Sequence, residues 1–118
     1  MTSPDHPRLL LVEDDAVSAA FLGEALRALP AQVVLAGDGA AALRALDAAA
    51  FDLWLVDAHL PDGDGIAALS AMRARRPGVV ALAHTAARER SVAEALIAAG
   101  FAEVLVKPLS AHALQAAV

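Results

Sequence analysis

The residues best suited to chemistry stand where short apolar runs stop. Leu9-Leu10-Leu11-Val12 runs into Glu13, Asp14 and Asp15. Leu53-Trp54-Leu55-Val56 runs into Asp57, and Val104-Leu105-Val106 runs into Lys107, the only lysine of the chain, with Pro108 behind it. Three close carboxylates repel one another, so their pKa values rise or a cation binds among them. With oxygen donors only, no Cys and no clustered His, that cation is a hard one, Mg²⁺ or Mn²⁺. A carboxylate alone at a strand end, as Asp57 is, can be a metal ligand, a nucleophile that forms an acyl phosphate, or both. The ammonium of Lys107 can neutralise an anion held over the cluster, or simply pair with Asp57. Asp15 directly precedes a helical pattern and fits an N-cap. Thr85 closes another apolar run and offers a hydroxyl, which on residue type alone reads as structural.

These positions need a scaffold that brings strand ends together. Short Val- and Leu-rich runs read as buried parallel strands, and in open α/β sheets ligands bind outside the carboxyl ends of the strands. The strands are expected at 9–12, 32–35, 52–56, 79–83 and 104–106. Helices are expected between them. The first runs from about Ala16 to Leu29, with Val17, Phe21, Leu22, Ala25 and Leu26 on one inward face and Pro30 as its stop. The second is capped by Asp38, with Leu43, Leu46 and Phe51 as its stripe. Pro61-Asp62-Gly63-Asp64-Gly65 reads as a loop. A third helix carries Ile66, Leu69 and Met72 and ends in Arg73, Arg75 and Arg76, which complement a helix C-terminus. The fourth spans Arg88–Ala99 and is closed by Gly100. Ser110 caps the last. Five βα units imply an α/β fold, a doubly wound five-stranded parallel sheet with five helices and right-handed crossovers.

The 118 residues are the size of one domain, and 58% are hydrophobic, many of them Ala. No linker or repeat divides the chain, so residues 1–118 are expected to form a single domain, with 1–7 frayed. The stretch Ala111–Val118 has no stop signal, so a C-terminal extension is expected; with Met1 as the native start, the domain would be N-terminal in its protein. The chain has no Cys and hence no disulfide framework. No run reaches the roughly 18 apolar residues of a membrane span, and the first residues lack the basic and apolar regions of a signal peptide. A cytoplasmic protein is expected. The net charge of −5 disfavours a nucleic-acid surface. No P-loop or dinucleotide glycine string occurs.

The same residues resemble a response-regulator receiver domain over essentially the whole chain. The resemblance rests on Leu11-Val12-Glu13-Asp14, on Val56-Asp57-Ala58-His59-Leu60-Pro61-Asp62-Gly63-Asp64-Gly65, on Thr85-Ala86, on Ala98-Ala99-Gly100 and on Lys107-Pro108. It implies a flavodoxin-like strand order, 2-1-3-4-5. It implies that Asp57 accepts a phosphoryl group from a phosphohistidine of a sensor histidine kinase or histidine phosphotransfer protein. Asp14 would ligate Mg²⁺ directly, Glu13 largely through water, with Asp57 and the main-chain carbonyl of His59 as further ligands. Thr85, Lys107 and the main-chain NH of Ala86 would bind phosphoryl oxygens. His59, Ala87 and Val104 occupy positions that tune the family's response. Val104 stands where many members carry Tyr or Phe, so an aromatic switch is absent. The resemblance implies a binding module switched by phosphorylation rather than a turnover enzyme, and allows a homodimer through the face of the fourth helix, fifth strand and fifth helix. No nucleic acid or membrane is implied as a partner of this domain. The alternative within the family is a degenerate receiver that serves as an unphosphorylated interaction scaffold, which the retained Glu13, Asp14, Asp57, Thr85 and Lys107 argue against. A phosphatase with an Asp nucleophile is disfavoured, because such enzymes carry a second Asp where this chain has His59.

Trp54 is expected in the core, His84 against a helix, His59 as a solvated loop side chain, and His6 and His112 at the surface. Lys107–Pro108 is a bond at which a cis peptide can occur.

Overall fold

In the computed structural model, which describes residues 7–107 and 110–118, a sheet separates two helical layers. The chain runs β1 (Arg8–Val12), α1 (Ala16–Arg27), β2 (Gln32–Ala36), α2 (Gly39–Ala48), β3 (Leu53–Asp57), β4 (His59–Leu60), β5 (Gly63–Asp64), α3 (Gly65–Arg75), β6 (Val80–Thr85), α4 (Arg90–Ala99), β7 (Glu103–Val106) and α5 (Ala111–Ala117). The five long strands pair in parallel in the order β2-β1-β3-β6-β7. The expected order is therefore observed, with β4 and β5 forming a separate two-stranded antiparallel hairpin. That hairpin lies where the sequence suggested only a loop.

Alternation along the strands builds two cores. Leu10, Val12, Trp54, Val56, Ala81 and Ala83 face α2, α3 and α4, whose Leu46, Leu69, Met72 and Leu96 are buried against them. Leu9, Leu11, Leu55, Leu82 and Leu105 face α1 and α5 through Leu22, Leu26 and Leu114. The helix starts follow from short polar caps: Asp15, Asp38, Asp64 and Ser110 each accept the N–H three residues on. Gly100 ends α4 with φ +117°, a left-handed conformation suited to glycine.

Four expectations change. Helix α1 ends at Arg27, before Pro30. Its Val17 and Phe21 are 78% and 47% exposed rather than core, because only from Leu22 onward does the helix lie on the apolar face of the sheet. Phe51 is buried but follows α2 instead of belonging to its stripe. The arginines at the end of α3 do more than meet a helix dipole. Arg73 donates to the carbonyls of Val79 and Gly100 and lies 5.8 Å from the ring centroid of buried Trp54. Arg76 donates to Leu46 O in the last turn of α2, and Arg75 pairs with Asp47. His112 is exposed. His6 and the peptide bond to Pro108 lie outside the described residues.

Candidate functional site

The carboxyl ends of β1, β3, β6 and β7 converge on one cleft of about 400 Å³, lined by Glu13, Asp14, Asp15, Asp57, His59, Thr85, Ala86, Ala87 and Lys107. Eight of these nine positions were singled out as site residues or modulators from the sequence, and Asp15 as a cap. Val104 is elsewhere: it is half-buried in the core under α4 and does not line the cleft.

Strand register explains the convergence. Val12 pairs with Val56, so the next residues, Glu13 and Asp57, stand side by side where the strands end. Asp57 pairs with His84, and Thr85 with Val106, directly before Lys107. The Lys107 N–H donates to Thr85 O at 2.7 Å, which ties the fifth long strand to the fourth at the site. Carboxylate oxygens of Glu13, Asp14 and Asp57 lie within 4.8 Å of one another.

Asp57 is 4% exposed and held at both oxygens. Oδ1 accepts the His59 N–H at 2.8 Å, and Oδ2 accepts from Lys107 Nζ at 2.8 Å. Glu13 is equally buried; its Oε1 accepts the Asp15 N–H at 3.2 Å, and its Oε2 lies 3.4 Å from both Lys107 Nζ and His84 Nδ1. Asp14 is exposed and faces the cleft. Thr85 Oγ1 accepts the Ala87 N–H at 3.1 Å, which folds the loop after β6 over the cleft.

The two buried carboxylates divide the electrostatics unequally. Burial pushes the Asp57 carboxyl up, and Glu13 adds to this; Lys107 and the His59 N–H oppose it but do not cancel it. Burial pushes Glu13 up too, yet the His84 ring, Asp57, the Asp15 N–H and Lys107 together bring it down to about 2. Lys107 is raised, because its two carboxylate neighbours outweigh its partial burial. Glu13 is thus the fixed anion and Asp57 the carboxyl that takes a proton first.

The loop after Asp57 is clamped from both sides. Asp62 accepts the N–H groups of Gly39 and Ala40 at the start of α2, both at 3.0 Å, and this contact holds its carboxyl below the ordinary range. On the other side Gly65 N–H donates to Ala58 O, and a Cβ at Gly65 would stand 2.6 Å from Asp57 O and 2.8 Å from Ala58 Cα. Only glycine lets α3 begin so close to the main chain of Asp57. The Asp64-Gly65 pair thereby acquires a physical reason: Asp64 caps the helix and Gly65 brings it to the site.

One site residue was missed. His84 was expected against a helix, but its ring is 2% exposed and faces Glu13. Its parity with Leu82 was the available signal; its register with Asp57 is seen only in the structure. The His59 side chain is exposed, as expected, while its main chain holds Asp57.

The site fits a hard divalent cation. It supplies oxygen donors from three carboxylates, and the buried Oε2 of Glu13 has no hydrogen-bond partner within the protein. Among the described residues, no helix is long and apolar enough to cross a membrane.

Comparison with known proteins agrees with this geometry. Residues 9–118 match the family model of the response regulator receiver domain. Over 112 residues the chain is 34% identical to the transcriptional regulatory protein ZraR of Escherichia coli K12, covering 95% of the chain and 25% of that protein. It is also 34% identical to the sensor protein GacS of Pseudomonas syringae, covering 92% of the chain and 12% of that protein. The chain therefore spans a quarter or less of the length of these curated relatives. Among solved structures, the receiver domain of the sensor histidine kinase PA1611 from Pseudomonas aeruginosa PAO1 superposes with a TM-score of 0.85 at 33% identity, covering 95% of this chain and 93% of that one. It was solved with a magnesium ion coordinated in its active-site cleft. The chemotaxis response regulator CheY4 of Vibrio cholerae shares the fold, with a TM-score of 0.88 at 24% identity over 95% of each chain. With the family model covering nearly all of its length, this chain belongs to the response regulator receiver domains of two-component signalling.

Proposed function

We propose that this domain accepts a phosphoryl group on Asp57 from a phosphohistidine of a sensor histidine kinase or a histidine phosphotransfer protein, and that the modification switches its protein contacts. The observation that carries this reading is the state of Asp57. It is a buried carboxylate at a strand end, oriented by a main-chain N–H and an ammonium, and open to a cleft with two further acids.

In the transfer step an oxygen of Asp57 attacks phosphorus as the bond from phosphorus to the donor imidazole nitrogen breaks. The imidazole leaves with that electron pair and takes a proton from solvent. Lys107 exchanges its pairing with Asp57 for a phosphoryl oxygen, and the Thr85 hydroxyl and Ala86 N–H are at hand in the same cleft for the others. Asp14, Glu13, Asp57 and the His59 carbonyl would hold Mg²⁺, or Mn²⁺ in its place. When bound, the ion supplies positive charge against the phosphoryl oxygens. The chain's own residues orient the nucleophile and hold back water; the domain undergoes phosphorylation and dephosphorylation without turning over a separate substrate.

The exposed Val17 and Phe21 lie in the first half of α1, which follows the acidic run, and offer apolar surface on which a phosphodonor helix would sit. We read residues 1–118 as one domain acting in the cytoplasm, where such donors transfer phosphate. We read the α4–β7–α5 face as the surface on which a second copy would assemble.

The test uses phosphoramidate, a small donor with a P–N bond, together with Mg²⁺. Intact mass is expected to rise by one phosphoryl group, and removal of Mg²⁺ with a chelator is expected to suppress the gain. An unchanged mass with a folded protein at saturating Mg²⁺ would overturn the reading.

A further inference from the structure

We propose that His84 is a positioning residue for Glu13: its Nδ1–H is the standing partner of Glu13 Oε2, and it keeps that carboxylate in place when Lys107 turns away to an anion in the cleft. This rests on the reading of Glu13 as part of the cation site of the proposed phosphoacceptor.

Two buried polar atoms lacking a hydrogen-bond partner face each other here. Glu13 Oε2 and His84 Nδ1 are 3.4 Å apart, on side chains 1% and 3% exposed. An unpaired buried carboxylate oxygen and an unpaired buried ring nitrogen are both unfavourable, and one small ring rotation closes a hydrogen bond that satisfies both. A lone pair on Nδ1 would face the carboxylate repulsively, so the Nδ1–H tautomer is required. The other neighbour of Oε2 is Lys107 Nζ, also at 3.4 Å, but the ammonium is already committed to Asp57 Oδ2 at 2.8 Å. Lys107 stands on a loop residue with a side chain 25% exposed, free to swing. His84 cannot: it lies within β6, flanked in register by Asp57 and Leu105.

A packing role alone would suit an apolar residue. The same face of the sheet holds Leu82 two residues earlier and Leu105 alongside. Between Asp57 and Leu105 in this row, within 3.4 Å of Glu13, the chain places an imidazole.

The experiment follows Mg²⁺ binding to the whole chain through backbone amide NMR shifts, in wild type, His84→Leu and His84→Gln. His84→Leu is expected to weaken Mg²⁺ binding about tenfold, the scale of losing an outer-shell partner. His84→Gln, whose amide can donate, is expected to recover most of that. Wild-type affinity in His84→Leu would overturn the proposal, and so would failure of Gln to improve on Leu. If His84→Leu does not fold, the ring of wild type decides: nitrogen NMR is expected to find the proton on Nδ1, and a proton on Nε2 alone overturns the role. A wild type that binds Mg²⁺ through a His84-dependent site yet takes no phosphoryl group would refute the phosphoacceptor reading and leave the positioning role standing.

Discussion

The two edges of the sheet handle charge differently. At the amino edge, the carboxylate stays in water, and among the described residues only the Nε of Arg8 is buried there without a hydrogen-bond partner. Asp52 is exposed and accepts the Arg8 N–H at 2.8 Å, and the Arg8 guanidinium lies 5.5 Å from the Phe51 ring centroid. At the carboxyl edge, charge is taken out of water and left partly unsettled. Among the described residues the buried polar side chains are Glu13, Asp57, His84 and Thr85, and all four stand at this edge. The same strands carry both edges. The fully buried Val56 is followed directly by Asp57, so strong apolar burial holds a polar cluster that would not hold itself. The contrast identifies the edge where stability is given up for function.

Substitutions can break that contrast in order of expected size. Trp54→Ala removes the largest core side chain between the edges and is expected to destabilise the fold by about 3–5 kcal/mol in denaturant unfolding. Gly65→Ala is expected to cost about 1–3 kcal/mol, because the added methyl meets the main chain of Asp57 and Ala58 rather than a side chain that can move. Lys107→Ala leaves Glu13 and Asp57 without their ammonium. A loss of about 2 kcal/mol is expected, below the roughly 3–5 of a fully buried pair since Lys107 is partly exposed. Mg²⁺ is expected to raise the melting temperature of that variant more than that of wild type. An equal rise would mean that Lys107 and the cation do not answer the same repulsion. Asp52→Ala, at the exposed edge, is expected to change stability by no more than about 0.5 kcal/mol.

Acid titration sharpens the comparison within the cluster. Glu13 is held down at about 2, below its ordinary value of 4.5. A lowered carboxyl pKa contributes stability that is present above the unfolded value and is lost as pH falls through the folded one. Stability should therefore drop between about pH 4.5 and 2, less steeply in Glu13→Gln. Asp57 is raised, so it protonates first, and phosphoryl labelling should fall with pH before Glu13 titrates. Carboxyl-carbon NMR that finds Glu13 protonating ahead of Asp57 would reverse the assignment.

What the sequence made legible was whatever depends on local pattern. Short apolar runs, three of them ending in charge, marked all five long strands, and the short polar caps Asp15, Asp38 and Ser110 marked helix starts, because both are settled within a few residues. The cleft residues were legible because strand ends converge in any parallel sheet of this kind. The β4–β5 hairpin was not, since Pro61-Asp62-Gly63-Asp64 carries no apolar alternation. Val17 and Phe21 have helical spacing with the buried Leu22 and Leu26, and spacing alone does not say where the sheet stops covering the helix. His84 was hidden because its contact with Glu13 spans two strand pairings and depends on register, which the sequence does not state.

The most direct test of the central claim is peptide mapping by mass spectrometry after treatment with acetyl phosphate and Mg²⁺, with wild type and Asp57→Asn side by side. The account predicts one added phosphoryl group on the wild-type peptide containing Asp57 and none on the folded variant. A gain that persists in Asp57→Asn, or that maps to another peptide in wild type, would contradict it.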